Sequence, residues 1–274
     1  MNTKNKTEKK ILLFLLYTFT ITWLFWGLII IGNKFFNTLW YGEILFWIPY
    51  LLGALGPMVS FYILYKKYPK EFSFTSFRQF IFNKNITKKV GLIFSLYILW
   101  RFFMVWFGLG IENPVSIIYM FINLPLMIVG GGFEEIGWRG YLQPKLERVI
   151  RYIPATIVVG IIWAIWHLPL WMIKGTVQSE ISFSLYIIMT IILSFSFSTL
   201  YKYSENITLC VVAHAWYNAC IGLAVYIGSD GYLRLDIGVK IFILYIIEFI
   251  VAVILGIIYN QRRDFMHGEH FKIS

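Results

Sequence analysis

Eight apolar segments, most of them about 20 residues long, divide this chain of 274 residues. A helix needs roughly 20 apolar residues to cross a bilayer, whereas a strand of a membrane barrel needs only about ten alternating ones. Continuous runs of this length predict transmembrane helices and exclude a β-barrel. The segments are 11–31, 44–64, 90–109, 115–133, 154–172, 182–200, 207–225 and 239–259.

The composition places these segments in a single membrane-embedded domain. Hydrophobic residues make up 59% of the chain and charged residues only 14%, whereas soluble domains carry about 25% charged residues. We therefore expect an all-α, polytopic integral membrane bundle of about eight transmembrane helices, with residues 1–274 as one domain. Cys210 and Cys220, ten residues apart in one segment, would lie roughly 15 Å apart on a helix, too far for a disulfide.

The net charge of +10 is explained better by membrane orientation than by nucleic-acid binding. If the amino terminus is cytoplasmic, most of the Lys and Arg residues fall in cytoplasmic loops or tails, as multi-pass proteins require. This distribution predicts a multi-pass cell-membrane protein with both termini in the cytoplasm and no nucleic-acid partner. The abundance of Ile, Lys and Asn is typical of a low-GC bacterium.

Two adjacent carboxylates, Glu134 and Glu135, follow the fourth apolar segment. Ionisable groups at membrane depth cost several kcal/mol unless they are paired or hydrated. Glu135 precedes Arg139 by four residues, the favoured order for a helical salt bridge. Glu134 then lies on another helix face, rotated by about 100°, where it is available for chemistry. Alternatively, both are interfacial carboxylates beside a basic loop.

The two histidines within apolar segments have polar or aromatic neighbours at helical spacing. His167 shares a helix face with Trp163, and Pro169 disturbs the helix just after it. His214 and Asn218 lie four residues apart on the seventh segment, again on one face. Each feature alone is compatible with packing or interhelical hydrogen bonding. Together with Glu134 and Glu135 they supply what peptide hydrolysis needs, an activated water and donors for an oxyanion.

Two further features have alternative interpretations. Three glycines, Gly130 to Gly132, precede the glutamates and form either a packing notch or a point of close substrate approach. Arg101 and Glu248 fall near the middle of the third and eighth segments. They form an intramembrane salt bridge, or else they snorkel or line a hydrated cavity.

The order Glu-Glu-x-x-x-Arg, Trp-x-x-x-His, His-x-x-x-Asn resembles the CPBP family, the CAAX-processing and bacteriocin-processing intramembrane proteases, also called Abi proteins. The motifs extend from Glu134 to Asn218, within a family core of about 115–225. The second motif usually begins with Phe, and Trp163 keeps an aromatic residue there. The resemblance implies that Glu134 activates water together with His167, and that Glu135 and Arg139 form a supporting pair.

The same resemblance implies a role for His214 and Asn218 in holding the oxyanion. In a metal-centred alternative, Glu134, His167 and His214 would bind zinc in an open site with two histidines and one glutamate. The chain has no His-Glu-x-x-His helix, the usual sequence signature of a zinc protease. The metal-centred and metal-free alternatives use the same residues. The predicted span ends place Glu134 near the inner end of its span, His214 about 10 Å deep and His167 roughly 20 Å deep. A site in the cytoplasmic half fits Glu134 and His214 best.

The sequence therefore predicts an intramembrane endopeptidase with its site between the fourth, fifth and seventh spans. Its expected partners are the lipid bilayer and a membrane-associated peptide or protein substrate, for which a lipidated chain is one option. One rival is a non-enzymatic bacteriocin-immunity or regulatory membrane protein, which degraded motifs would favour. Another is a transporter, which predicts symmetric halves with broken helices that the sequence does not contain.

Overall fold

The computed structural model describes residues 3–73, 76–82, 86–110, 116–229 and 233–266. These residues form an almost wholly helical chain, which confirms the predicted all-α class. The α-helices are α1 Thr3–Ile31, α2 Trp47–Ala54, α3 Gly56–Lys67, α4 Phe77–Ile81, α5 Lys88–Phe103, α6 Ser116–Met127, α7 Glu134–Gly137, α8 Gln143–Leu146, α9 Tyr152–Trp166, α10 Phe183–Ser204, α11 Ile207–Ile221 and α12 Val239–Met266. Two short antiparallel strands, β1 Tyr226–Ile227 and β2 Leu233–Arg234, join outside the helices, with Tyr226 opposite Arg234.

Every predicted apolar segment corresponds to helix. Within the described part of the chain, six helical stretches are long and apolar enough to cross a membrane. The pair Ile44–Ala54 and Gly56–Lys67, bent by 42°, makes a seventh span if it is counted as one broken helix. The seventh predicted segment is the shorter helix Ile207–Ile221. The six long stretches are Asn5–Phe36, Lys88–Leu109, Ile117–Leu146, Tyr152–Met172, Phe183–Ser204 and Val239–Arg262.

Helix α10 packs against α9 and α12. Its inner faces are rich in small hydroxyl residues, among them the buried Ser194, Ser196, Ser198 and Thr199. Small side chains let helices approach closely in a membrane, and their hydroxyl groups hydrogen-bond across helices. Thr199, for example, donates to the carbonyl oxygen of Ala252 in α12 at 2.9 Å. The composition of α10 therefore suits a central position.

The fourth span is longer than the sequence predicted. Its helical path continues from Ile117 to Leu146 because two π-helical turns, Ile128–Gly132 and Trp138–Leu142, join α6, α7 and α8. The glycines and the polar residues that follow them resembled the end of a helix. Glu134 consequently lies inside the span, roughly 18 Å from Leu146 at 1.5 Å per residue. The predicted position near the inner end of the span was wrong.

This correction removes a mismatch in depth. His167 follows α9, which begins at Tyr152, so it lies roughly 22 Å along the fifth span. Glu134 and His167 therefore reach similar depths from the same end of the bundle. The two residues can contribute to one site inside the bundle.

Arg101 and Glu248 form the buried ion pair that the sequence suggested between the third and eighth spans. Arg101 also donates to the Tyr97 hydroxyl at 3.0 Å and to Ser196 Oγ at 3.2 Å. Trp100 donates through Nε1 to the second carboxylate oxygen of Glu248 at 3.2 Å. Both charged side chains are buried, and the network joins α5, α10 and α12.

Glu71 ties three elements together at one end of the bundle. It forms ion pairs with Lys10 near the start of α1 and with Lys145 in α8, the latter at 2.9 Å. The start of the first span, the second loop and the end of the fourth span therefore share one face of the bundle. This agrees with the orientation predicted from the basic residues, which places all three at the cytoplasmic face.

Reporter fusions test that orientation. We expect a reporter at the amino terminus and another at the carboxyl terminus both to report the cytoplasm, because the basic loops resist transfer across the membrane. A fusion within 174–176, in the loop after the fifth span, should report the opposite side. Termini on opposite sides would contradict the predicted topology.

Candidate active site

Glu135 is the centre of a buried, charged cluster. Its Oε2 lies 3.1 Å from Arg139 Nε, and its Oε1 accepts from Arg139 Nη1 at 3.3 Å. The same Oε1 lies 2.9 Å from His214 Nδ1. Glu135 and Arg139 are fully buried. The predicted salt bridge is therefore present, and His214 joins it from α11.

The local backbone of this cluster is unusual. Only four residues, Glu134–Gly137, form a regular α-helical turn, and π-helical turns flank them on both sides. Such turns are rare and occur frequently at functional sites. The backbone around Glu134 is thus specialised where the sequence motif is densest.

Trp163 links Glu134 to His167. The indole Nε1 of Trp163 donates to Glu134 Oε2 at 2.7 Å, and the carbonyl oxygen of Trp163 lies 2.9 Å from His167 Nδ1. Because a carbonyl oxygen can only accept, Nδ1 carries a proton, and Nε2 of the neutral imidazole keeps its lone pair. Glu134 and His167 are both buried, with 3% and 6% of their surfaces exposed.

His214 and Asn218 both face Gly131, as their spacing predicted. A Cβ atom at Gly131 would lie 2.2 Å from Asn218 Nδ2 and 3.5 Å from His214 Nε2. A Cβ atom at Gly132 would instead meet the backbone carbonyl oxygen of Val211 at 2.5 Å. The glycines therefore serve in two ways, since Gly131 makes room for site side chains and Gly132 lets two helices pack closely.

Aromatic rings surround the imidazole and guanidinium groups. The ring of His214 lies 5.4 Å from that of Trp163 and 5.1 Å from that of Phe197. The guanidinium of Arg139 lies 5.1 Å from the Trp163 ring and 5.3 Å from the Phe197 ring. Cations are attracted to aromatic faces, and more strongly where water is excluded. These rings hold Arg139 and His214 in place.

The structure adds residues that the sequence did not indicate. Tyr186 in α10 places its ring 5.4 Å from the His167 ring and lies within electrostatic range of Glu134. Tyr50 in α2 is also within electrostatic range of Glu134. Neither tyrosine has a helical spacing to the motifs, so no sequence signal identified them. Trp163 was noted for its aromatic ring, but its hydrogen bond to Glu134 was not foreseen.

The zinc alternative finds no geometric support in the described residues. Among them, no three or more His, Cys, Asp or Glu side chains are grouped so that they could hold a metal ion. Nδ1 of each site histidine is engaged, that of His167 by a carbonyl oxygen and that of His214 by Glu135, which leaves Nε2 of both rings as the nitrogen that could bind a metal. In this conformation Glu134, His167 and His214 do not fit a three-ligand zinc centre. The metal assignment stays a prediction for experiment.

Gly131→Ala tests whether Asn218 works in the site. The new Cβ would displace the Asn218 amide, the flexible end of a side chain, so we expect a well-folded protein with at least about tenfold lower kcat. Gly132→Ala is the comparison, because its Cβ would meet helix backbone and should chiefly lower the melting temperature. Turnover and thermal unfolding of both variants in detergent measure the two effects. Unchanged kcat in Gly131→Ala would contradict a role for Asn218.

The region that contains these residues is similar to known proteins. Residues 114–220 match the family model described as "Type II CAAX prenyl endopeptidase Rce1-like", and this region contains all six motif residues. A stretch of 56 residues is 39% identical to "CAAX prenyl protease 2" of Methanococcus maripaludis, covering 20% of this chain and 21% of that protein. The match thus spans about a fifth of the curated relative.

Proposed function

We propose that this chain, whose residues 114–220 match the Rce1-like family model, is a CPBP-type intramembrane endopeptidase whose Glu134 activates water within the membrane. The observation that supports this most is the double role of Trp163, whose indole donates to Glu134 and whose carbonyl oxygen orients His167. The Glu134 carboxylate and the His167 imidazole are thereby both positioned by Trp163. This pair suits general acid–base catalysis.

In the proposed reaction, the Glu134 carboxylate accepts a proton from water as the water oxygen bonds to the scissile carbonyl carbon. The hydrogen bond from Trp163 holds that carboxylate in one orientation. His167, with its proton fixed on Nδ1, presents Nε2 as a second acceptor for the attacking water. When the C–N bond breaks, the proton passes from Glu134 to the leaving amine.

The oxyanion of the tetrahedral intermediate would be held by His214 and Asn218. Their Nε2 and Nδ2 atoms both lie beside Gly131, so they can donate to one oxygen atom placed there. Preorganised donors of this kind supply a large part of the stabilisation in acyl transfer. Glu135 orients the His214 ring through Nδ1 and balances the charge of a doubly protonated imidazole, while Arg139 holds Glu135.

The substrate we propose is a membrane-associated peptide or protein. The relative's name, CAAX prenyl protease 2, supports a lipid-anchored chain end, and a bacteriocin or other membrane-peptide precursor is a second candidate. The rival is a non-enzymatic immunity or regulatory protein on the same fold. The intact set of Glu134, His167, His214 and Asn218 supports the enzyme.

Comparative proteomics of membrane peptides tests the function. Cells carrying the wild type are compared with cells carrying Glu134→Gln, and Glu43→Gln, a change at an exposed glutamate, serves as the control. We expect unprocessed precursors to accumulate only with Glu134→Gln. Identical peptide profiles in all three strains would favour the non-enzymatic rival.

Metal removal discriminates between the two forms of the mechanism. We expect the purified protein to keep full activity after exhaustive chelation, because the described residues offer no three-ligand site. Metal content and turnover are measured before and after chelation, and again after zinc is added back. Stoichiometric zinc whose removal stops cleavage, with recovery on zinc addition, would support the metal-centred mechanism, in which Glu134, His167 and His214 are the expected ligands.

A further inference from the structure

A cavity of about 330 Å³ extends from one end of the bundle toward the site. Its outer wall includes Glu147, Lys202 and Tyr259, and its inner wall includes Gln143, Ser198 and Arg139. Arg139 belongs to the Glu135 cluster, so the cavity reaches the charged cluster at its inner end. Its mouth lies at the end of the fourth span, the face that the basic residues assign to the cytoplasm.

Two buried polar atoms in the inner wall have no hydrogen-bond partner among the described residues. They are Arg139 Nη2 and Gln143 Oε1, although Arg139 is fully buried and Gln143 is only 3% exposed. Gln143 Nε2, in contrast, donates to Ser198 Oγ at 2.6 Å and to Thr156 Oγ1 at 2.8 Å. Buried polar atoms without protein partners are commonly satisfied by ordered water. The cavity is large enough for several water molecules.

The mixed charge of the wall favours water over an ion. Lys202 is paired with Glu147 at 2.7 Å, and Arg139 is paired with Glu135. The cavity thus contains no concentration of one charge that would select an anion or a cation. A neutral, hydrogen-bonding molecule is the best fit.

We propose that this cavity is a water inlet that supplies the hydrolytic water from the cytoplasmic end. The inference rests on the proposed function, since each cleavage consumes one water molecule in a site whose Glu134 is only 3% exposed. Arg139 marks the inner end of the inlet, and its guanidinium lies 5.1 Å from the Trp163 ring that binds Glu134.

The inlet also separates water from substrate. Arg139 and Gln143 lie on the Leu146 side of Glu134, whereas Gly131 lies on the opposite side, toward α6. The half-buried Asn218 amide is at Gly131. Water therefore enters from one end of the site, and the scissile peptide approaches the oxyanion donors from the other.

Cysteine accessibility tests the inlet without requiring any cleavage. In a background with Cys210→Ala and Cys220→Ala, Ser198→Cys is compared with Ser194→Cys, which lies one turn away on α10, is fully buried and is outside the cavity wall. A small cationic methanethiosulfonate is applied to inside-out or right-side-out vesicles. Since only a hydrated thiolate reacts, we expect Ser198→Cys to react faster by on the order of tenfold or more, and only in inside-out vesicles.

Equal rates at the two positions, or reaction from the outer face alone, would overturn the inlet. If Ser198→Cys does not fold, Gln143→Cys tests the same wall. In a folded Ser198→Cys protein, modification should lower kcat and leave KM unchanged, because the adduct fills the inlet and not the peptide side. Labelling does not depend on turnover, so a negative labelling result refutes the inlet alone. Wild-type turnover by the Glu134→Gln protein would instead refute the proposed function.

Discussion

Glu134→Gln is expected to abolish peptide-bond hydrolysis and to leave the protein folded. The amide matches the carboxylate in shape, and its oxygen can still accept the hydrogen bond from Trp163 Nε1. It cannot accept a proton from water. Loss of a general base costs about 10²–10⁴ in rate, so residual turnover should fall to the detection limit of a membrane assay.

The assay needs a matched control and a measure of folding. Glu43→Gln makes the same change at an exposed residue outside the site and should keep wild-type turnover. Thermal unfolding in detergent should give similar melting temperatures for all three proteins. Wild-type turnover by a well-folded Glu134→Gln protein would show that another residue activates the water.

Arg139→Ala is expected to lower stability as well as activity. It leaves Glu135 fully buried without its guanidinium partner, with the His214 imidazole still beside it. Removing one member of a buried ion pair costs about 3–5 kcal/mol, so thermal unfolding in detergent should occur at a clearly lower temperature. If stability is unchanged and activity vanishes, Arg139 acts on the substrate or on the chemistry.

A double variant separates the two effects. Glu135→Gln combined with Arg139→Met removes both charges and keeps similar volumes, and such replacements are often neutral for stability. We expect the melting temperature to recover and turnover to stay low, because His214 has lost its carboxylate partner. If the melting temperature and the turnover both recover, the pair of Glu135 and Arg139 has a purely structural role.

The sequence was informative wherever a side-chain relation is local. The pairing of Glu135 with Arg139, and the common face of His214 and Asn218, follow from a spacing of four residues on a helix. The ion pair of Arg101 and Glu248 was foreseen for a different reason. A charged side chain in the middle of an apolar span needs a counter-charge. Arg101 and Glu248 have opposite charges and similar predicted depths, so the sequence suggested that they pair.

The parts that could not be predicted depend on contacts between distant segments or on irregular backbone. The hydrogen bond from Trp163 to Glu134 joins residues 29 apart, and no periodicity reports it. The π-helical turns around Glu134 do not follow the regular helical spacing, so the span seemed to end too early. Gln143 and Ser198 belong to no recognisable sequence motif. The hydrogen bond between them joins residues 55 apart, and this long-range contact is what indicates the proposed inlet.

The ion pair between Arg101 and Glu248 also has a consequence for biogenesis. The two residues are 147 positions apart, so the ribosome must make five more membrane segments before the counter-charge of Arg101 exists. An unpaired arginine in hydrocarbon is costly. We therefore expect the insertion machinery to shield the nascent third helix, or that helix to lie near the bilayer surface, until the last helix is inserted. Chains truncated before residue 239 would lack that counter-charge, which makes them natural targets for membrane quality control.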